Sequence, residues 1–314
     1  MTLTENIKRE ARALGFQAIG ISRVEPTPLP RLLFTRLQEW LRRGFHGTMS
    51  WMAREPNRRA DPGAILAGCR SVISVGMNYY TGHRADERPG RGRIARYAWG
   101  EDYHRVLMTR LEALEDRIRA LAPAAVTRAY VDTGPIMEKA WAQQAGLGWI
   151  GKHSNLVSPQ YGSWLLLGEI LTTLELDQDE PGSDLCGSCM LCLAACPTGA
   201  ITEPYVVDAR KCISYLTIEL HRPGDEIPDD LARQMGNRIF GCDDCLDVCP
   251  YNNNAVPTAE QAFQPSALTL APLLTELSDL TDPDFAATFP RSPIRRAKHA
   301  GLLRNVRVAL KNLN

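Results

Sequence analysis

Cys186, Cys189, Cys192 and Cys196, with Pro197 after them, read C-x2-C-x2-C-x3-C-P. Thiolates at this spacing wrap one corner of an iron–sulfur cube with the first three cysteines, while the fourth ligates a different cluster. The remaining ligands stand downstream. Cys242, Cys245 and Cys249, with Pro250, read C-x2-C-x3-C-P, and Cys212 stands alone between the two groups. Two 4Fe–4S clusters at four thiolates each need eight, and the nine cysteines leave eight once Cys69 is set aside. Crossed ligation then gives one cluster to Cys186, Cys189, Cys192 and Cys249, and the other to Cys196, Cys242, Cys245 and Cys212. Paired C-x2-C groups also occur in zinc ribbons, but the x3-C-P ending of both groups belongs to the iron–sulfur pattern. Spacing does not decide between Cys212 and Cys69 as eighth ligand. Nearness in sequence favours Cys212, and Cys69 in AILAGCRSVISV reads as a small buried hydrophobe.

Clusters alone make an electron wire, and an enzyme needs a place where the electrons arrive. Asp132 ends an expected strand and precedes Thr133-Gly134-Pro135. An acid at the carboxyl end of a strand can donate a proton to a bound ligand. An Asp just before a helix can equally cap it, and residue type alone favours the cap. Gly146, Gly148 and Gly151 form G-x-G-x-x-G. An expected helix precedes them where a dinucleotide fingerprint needs a strand, so no dinucleotide fold follows. The run is either a loop that lets backbone approach a large flat ligand or a surface turn. Lys152, His153, Ser154 and Asn155 follow it as polar groups. Arginines gather as Arg54, Arg58 and Arg59; as Arg91, Arg93 and Arg96; and as Arg291, Arg295 and Arg296 with Lys298, Arg304 and Arg307. Such runs are solvated faces or local RNA-contacting patches. Tyr97, Trp99 and Tyr103 beside them suit base stacking or the core equally. His221 and Arg222 lie in the spacer next to the cysteines and read as loop residues.

These groups have to be positioned. A chain of 314 residues predicts two or three domains. With 44% hydrophobic and 23% charged residues it reads as globular. Lysines and arginines (36) balance aspartates and glutamates (36), which excludes a basic field over the whole protein and leaves any nucleic-acid contact to a local patch. The opening MTLTENIKREARALGF carries charges throughout and no apolar signal region. Together with thiolate ligands, which need a reducing compartment, this predicts a cytoplasmic protein. The apolar run SWLLLGEILTTLEL is broken by Glu169, and no membrane span is expected. Leu3, Ile7, Ala11 and Leu14 predict a helix over 3–14, and further helices are predicted over 104–121 and, starting at Pro135, over 135–145. FQAIGISRV, SVISVGMNYY (71–80), AVTRAYVD (125–132) and SWLLLGEILTTLEL (163–176) predict strands. This alternation gives an α/β (α+β) class for residues 1–176. The acidic DQDEPGSD (177–184) marks a boundary, the cysteine region runs to about residue 255, and a short helical region follows over 256–314.

Several stretches in this order resemble the epoxyqueuosine reductases. They are REPNRRADP (54–62), ARYAWGEDYH (95–104), VDTGPIMEKAWAQQAGLGWIGKHSNLVSPQYGSWLLLGEI (131–170), CGSCMLCLAACPTGAI (186–201), KCISYLTIE (211–219) and GNRIFGCDDCLDVCPYN (236–252). The resemblance implies a cobalamin-dependent enzyme with two 4Fe–4S clusters. Such an enzyme reduces the epoxide of epoxyqueuosine, at the wobble position of tRNAs with a GUN anticodon, to the alkene of queuosine. The implied fold is an α/β cobalamin-binding domain related to that of reductive dehalogenases, followed by a ferredoxin-like two-cluster domain. Matched residue by residue, Asp132 is the proton donor, which reverses the preference for a cap. Arg58, Tyr97, Asp132, His153, Asn155, Ser214 and Asp243 fall in stretches that touch the corrin. No D-x-H-x-x-G motif is present, so the expected cobalamin has its own base displaced and no histidine in its place. The expected partners are the tRNA and an external low-potential electron donor, with the protein a monomer. GLLRNVRVALKNLN reads as the start of the helical repeats of longer members, and the spacer HRPGDEIPDDL (221–231) is slightly longer than the family pattern. A reductive dehalogenase of a small organohalide is the main alternative. Such enzymes carry a twin-arginine signal, which is absent here. An electron-carrier subunit would not need the long α/β region ahead of its clusters, and a cobalamin storage protein would not need the clusters.

Overall fold

The computed structural model describes residues 2–25, 27–86, 88–220 and 226–313. His221, Arg222 and the first half of the HRPGDEIPDDL spacer lie outside the described residues. The chain divides into two compact units, one of residues 1–44, 50–78 and 104–189, the other of 45–49, 79–103 and 190–314.

The first unit is built on a four-stranded sheet. Its strands are β1 (Ala18–Arg23), β2 (Ser71–Asn78), β3 (Thr127–Tyr130) and β4 (Leu165–Thr172), in the order β1-β2-β4-β3. Every pairing is antiparallel, with Ser74 opposite Glu169 and Tyr130 opposite Glu169 in the register. The alternation of helices and strands is therefore realised in its α+β form. The rule that ligands gather at the carboxyl ends of parallel strands gives no support to Asp132 in this sheet. β2 is buried along its whole length, as a strand covered on both faces must be.

Successive side chains of a strand point to opposite faces. At Gly168 of β4, an added Cβ would sit 2.9 Å from Leu111, so the helix over Tyr103–Leu121 lies close against that face. Leu107, Leu111, Leu114 and Ile118 make its buried stripe at helical spacing. Glu169, one residue on, faces the other way, where the helix Glu138–Gln144 packs. The helix Leu3–Ala13 begins in a reciprocal capping box between Thr2 and Glu5 and turns Ile7 and Ala11 inward.

The expectation of a helix starting at Pro135 is corrected. The helix begins at Glu138, after Met137, which offers no side-chain cap. Residues 131–136 form a separate turn, with Asp132 in the left-handed region at φ +55° and the Thr133 N–H donated back to the Val131 carbonyl. Asp132 is six residues from the helix start and does not cap it.

The second unit has its own core around Ile94, Trp99, Ile239, Phe240, Leu274 and Ile294. Arg93–Ile94 and Arg238–Phe240 pair as short parallel strands. The helix Lys298–Lys311 closes this core with Leu302, Val306 and Ala309. Its buried Asn305 donates to the carbonyls of Thr217 (2.8 Å) and Ile239 (2.9 Å). Among the described residues no helix is long and apolar enough to cross a membrane.

Candidate active site and cluster ligands

In the first unit, the Asp132 carboxyl stands out at the surface, its side chain 60% exposed. Its Oδ2 lies 3.2 Å from Nε2 of His104. Its backbone N–H turns inward and is donated to Oε1 of Glu138. The turn is tight: a Cβ on Gly134 would stand 2.4 Å from the Tyr130 ring, so only glycine fits there. Behind the turn, burial, then Asp132, pushes the half-buried Glu138 carboxyl up to about 8. Glu169 is fully buried; burial and the neighbouring Glu138 carry it well above the usual carboxylate range.

The glycine run after helix Glu138–Gln144 is a close-packed turn into the hairpin of Trp149–Ile150 with Leu156–Val157. A Cβ on Gly148 would lie 2.0 Å from the Val157 carbonyl oxygen. A helix precedes the run and no long helix follows, in keeping with the rejection of a dinucleotide fold. Next in the chain, His153 is buried, and that burial lowers it to about 4, so the ring is neutral. Its Nδ1 accepts the Asn155 N–H at 3.1 Å, which leaves Nε2 to carry the proton 3.5 Å from the Ser163 hydroxyl. Lys139 donates to Oδ1 of Asn155 at 2.6 Å and to the Ser154 carbonyl at 3.1 Å. Asn155 is thus held from two sides.

Arg58 lies on the short helix Pro56–Ala60 and pairs with Glu55 at 3.1 Å. Nε of Arg58 and Oγ of Ser154 are among several buried polar atoms of this unit that make no hydrogen bond. A buried polar atom left unpaired is costly. The amide-fringed edge of a corrin would supply such partners, so these residues fit that group.

In the second unit, Asp243 is buried and accepts the Arg96 backbone N–H at 2.8 Å and its guanidinium at 3.3 Å. Burial lifts Asp243 to about 6 against the pull of Arg96. Tyr97 packs edge-on to Tyr103 and beside Phe240, with ring centres 6.0 Å and 6.1 Å away. Ser214 sits half-buried in the helix Ile213–Ile218.

The short helices Leu191–Ala195 and Asp244–Asp247 pack together and carry Cys192 and Cys245. Burial, then Asp244, pushes the Cys242 thiol up to about 12. Burial, followed by Cys242, Cys212, Asp243 and Cys196, also raises Cys245 well above its ordinary value. Cys196, Cys212, Cys242 and Cys245 therefore stand within electrostatic reach of one another. Thiols so placed are costly to ionise alone, whereas iron would supply the positive charge that makes them thiolate ligands. Among the described residues no three His, Cys, Asp or Glu side chains close around a point as they would for a single metal ion. In the first unit, Trp149 donates its ring N–H to Sγ of Cys186 at 3.4 Å. Lys152 fastens the same loop through the carbonyls of Gly187 (2.6 Å) and Cys189 (2.9 Å). Cys69 packs with Val72, Ile136, Trp141 and Leu171.

Part of the first and third arginine runs is exposed, as at Arg54, Arg291, Arg295 and Arg307, and several other members are internal ties. Arg91 donates to the Ala271 carbonyl (2.7 Å), Arg96 to Asp243 and Asp247, and Arg304 to the Leu216 carbonyl (2.7 Å). Trp99 is a core residue whose ring N–H meets the Ile94 carbonyl at 2.8 Å. His104, Lys139, Glu138 and Glu169 were not singled out from the sequence for this site. A charge inside an otherwise apolar strand was the available signal for Glu169.

Two family models match the chain. One, described as epoxyqueuosine reductase QueG, DUF1730, covers residues 59–133, and a 4Fe-4S double cluster binding domain covers residues 185–252. An epoxyqueuosine reductase of Synechocystis sp. is 48% identical over 277 residues, covering 88% of this chain and 94% of the relative. That of Escherichia coli is 43% identical over 314 residues, covering 99% and 81%. Among solved structures, an epoxyqueuosine reductase with an epoxyqueuosine-modified stem loop of tyrosine tRNA superposes with a TM-score of 0.90 at 30% identity, covering 99% of this chain and 81% of that one. The Bacillus subtilis enzyme, with its catalytic-aspartate loop swung out of the active site, gives 0.90 at 29% identity, covering 99% and 82%.

Proposed function

The chain belongs to the epoxyqueuosine reductase family, and from that premise we propose how its residues divide the work. It is an oxidoreductase that reduces epoxyqueuosine to queuosine at the wobble position of tRNA, with cobalamin and 4Fe–4S clusters as cofactors. The observation that carries the assignment of roles is the Asp132 turn: an exposed carboxyl on a backbone fixed from behind.

Cobalamin, held by this chain's residues, would supply the low-potential electrons that reduction of the epoxide needs. Asp132 donates a proton to the epoxide oxygen as its carbon–oxygen bond breaks, so that negative charge does not build up there. Two electrons and two protons convert the epoxide to the alkene and water. His104, 3.2 Å from the Asp132 carboxyl, steadies it and returns a proton to it after each turnover. Arg58, Tyr97, Asn155, Ser214 and Asp243 hold the corrin, with His153 acting through its grip on Asn155. Cys186, Cys189, Cys192 and Cys249 hold one cluster. Cys196, Cys212, Cys242 and Cys245 hold the other, supported by their mutual approach.

By function, residues 1–176 form the cobalamin-binding catalytic part, 177–255 the ferredoxin-like part and 256–314 a helical support. The substrate is a tRNA with a GUN anticodon, whose modified base splays from the single-stranded loop into the site. An external low-potential donor feeds the clusters, and the protein works as a monomer in the cytoplasm. The test is anaerobic purification followed by turnover of epoxyqueuosine-containing tRNA with a low-potential reductant. About eight irons and one corrin per chain are expected from the ligand count, with alkene formed by the wild type and lost in Asp132→Asn. No corrin absorption after reconstitution with cobalamin, or full turnover by Asp132→Asn, would overturn the assignment.

A further inference from the structure

A non-glycine residue in the left-handed region costs about 1–2 kcal/mol and persists only where its surroundings over-determine it. Asp132 is such a residue, with φ +55°. The neighbouring chain shows what determines it. Val131 is buried, Gly134 lies against the Tyr130 ring, and the Asp132 N–H is donated to Oε1 of Glu138. This is a long reach by a side chain six residues on, from the first turn of the following helix.

Glu138 does not stand alone. Glu169 sits behind it on β4, fully buried at a register position between Ser74 and Tyr130. A strand that needed only packing would place an aliphatic residue there, as Ile170 and Leu171 do beside it. Neither Glu169 oxygen makes a hydrogen bond of regular geometry, and the charged groups it faces are the Glu138 and Asp132 carboxyls. Buried behind two other acids, Glu169 keeps its proton and directs it toward Glu138. One oxygen of Glu138 thereby faces a proton donor on the sheet, and the other meets the amide of the turn.

We propose that Glu138, set by the buried Glu169 behind it, is the positioning residue of the reductase: by accepting the Asp132 amide it locks the turn that presents the Asp132 carboxyl to the substrate. The inference rests on Asp132 being the catalytic acid. In this role Glu138 acts only through the turn. Its loss therefore lowers the chance that the acid is in place, without weakening the binding of tRNA.

The test uses the holoenzyme with epoxyqueuosine-containing tRNA under anaerobic single-turnover and steady-state conditions. Glu138→Ala removes the acceptor, and Glu138→Asp shortens it by one methylene, beyond reach of the amide. Both are expected to lower kcat by about 10–100-fold with KM for tRNA within about twofold of wild type, the size of effect that a misplaced catalytic group gives. Glu138→Gln, which keeps an amide oxygen at the same reach, restores most of the lost rate. Iron and corrin content confirm that each variant is folded and loaded. A Glu138→Ala enzyme with wild-type kcat, or a Glu138→Gln enzyme no better than Glu138→Ala, overturns the proposal. Asp132→Asn separates the two ideas: if it is inactive while Glu138→Ala is not, only the positioning role fails, and if it is active the acid assignment fails with it. Should Glu138→Ala and Glu138→Asp not fold, amide hydrogen exchange of the wild-type enzyme decides. Slow exchange at the Asp132 N–H supports the lock, and exchange at the rate of an open turn overturns it.

Discussion

Replacing Glu169 with Gln should stabilise the protein by an amount that grows with pH. The carboxyl is fully buried, and burial, then Glu138 and Asp132, hold it well above its ordinary range. The folded chain keeps this proton through neutral pH, whereas the unfolded chain releases it above the ordinary value of 4.5. The native state thus binds more protons than the unfolded state, so its stability falls as pH rises. The contribution is full below about pH 4.5 and declines by about 1.4 kcal/mol per pH unit for one proton. The gap between wild type and variant widens at up to that slope for as long as the folded chain keeps the proton, lessened by relaxation around a buried charge. Even one pH unit at that slope is a measurable share of a typical total stability of about 5–15 kcal/mol. Gln keeps the shape and cannot ionise, so it escapes the loss. The assay is anaerobic urea unfolding of the loaded wild type and Glu169→Gln at both pH values. Near-equal midpoints at pH 5 and a clear advantage for the variant at pH 8 are expected. Parallel pH dependence of the two proteins would refute a proton held at Glu169.

Cys212→Ala should leave about half the iron and one cluster signal, while Cys69→Ala keeps both, measured by iron content and electron paramagnetic resonance. Gly134→Ala should lower turnover without loss of cofactor, because its Cβ would meet the Tyr130 ring at 2.4 Å and force the Asp132 turn to move. Asn305→Ala removes donors to the Thr217 and Ile239 carbonyls and should cost about 2–3 kcal/mol in unfolding free energy, seen as a lower urea midpoint. Arg96→Met strips the buried Asp243 of its guanidinium partner and should destabilise by about 3–5 kcal/mol, read in the same way.

What could be read from the chain followed the kind of signal each residue carries. The cysteine spacing encodes ligation directly, because a cluster fixes how far apart its thiolates stand along a loop. The two central strands, Ser71–Asn78 and Leu165–Thr172, were legible from their apolar runs, since burial of both faces leaves a pattern in the residues themselves. Their antiparallel pairing was not legible, because alternation of helix and strand says nothing of direction. Pro135 is a good helix starter by type, but the turn around Asp132 uses the preceding residues for its own geometry and delays the helix to Glu138. The arginine runs carry a weaker signal: charge along a chain does not show that Arg91 and Arg304 spend their donors on carbonyls far away in sequence. Glu169 was visible only as a flaw in an apolar run, and its meaning needed the partner across from it.

The interleaving of the two units has a consequence for how the protein is made. The chain passes from one to the other after Gly44, Met49, Asn78, Tyr103 and Cys189. On the ribosome, the early segment 45–49 must wait for Tyr215, whose hydroxyl takes the Thr48 N–H at 2.8 Å, and segment 79–103 must wait for Asp243 and Phe240. The cysteine loops in turn wait for the helix Lys298–Lys311, which ties down Thr217 and Ile239. The unit that gathers Cys196, Cys212, Cys242 and Cys245 can therefore settle only once the chain has been made as far as Lys311. Iron and sulfide delivered before the helix Lys298–Lys311 is made would meet unorganised thiols, and a fragment cut at residues 177 and 255 would lose the contacts that shape its loops.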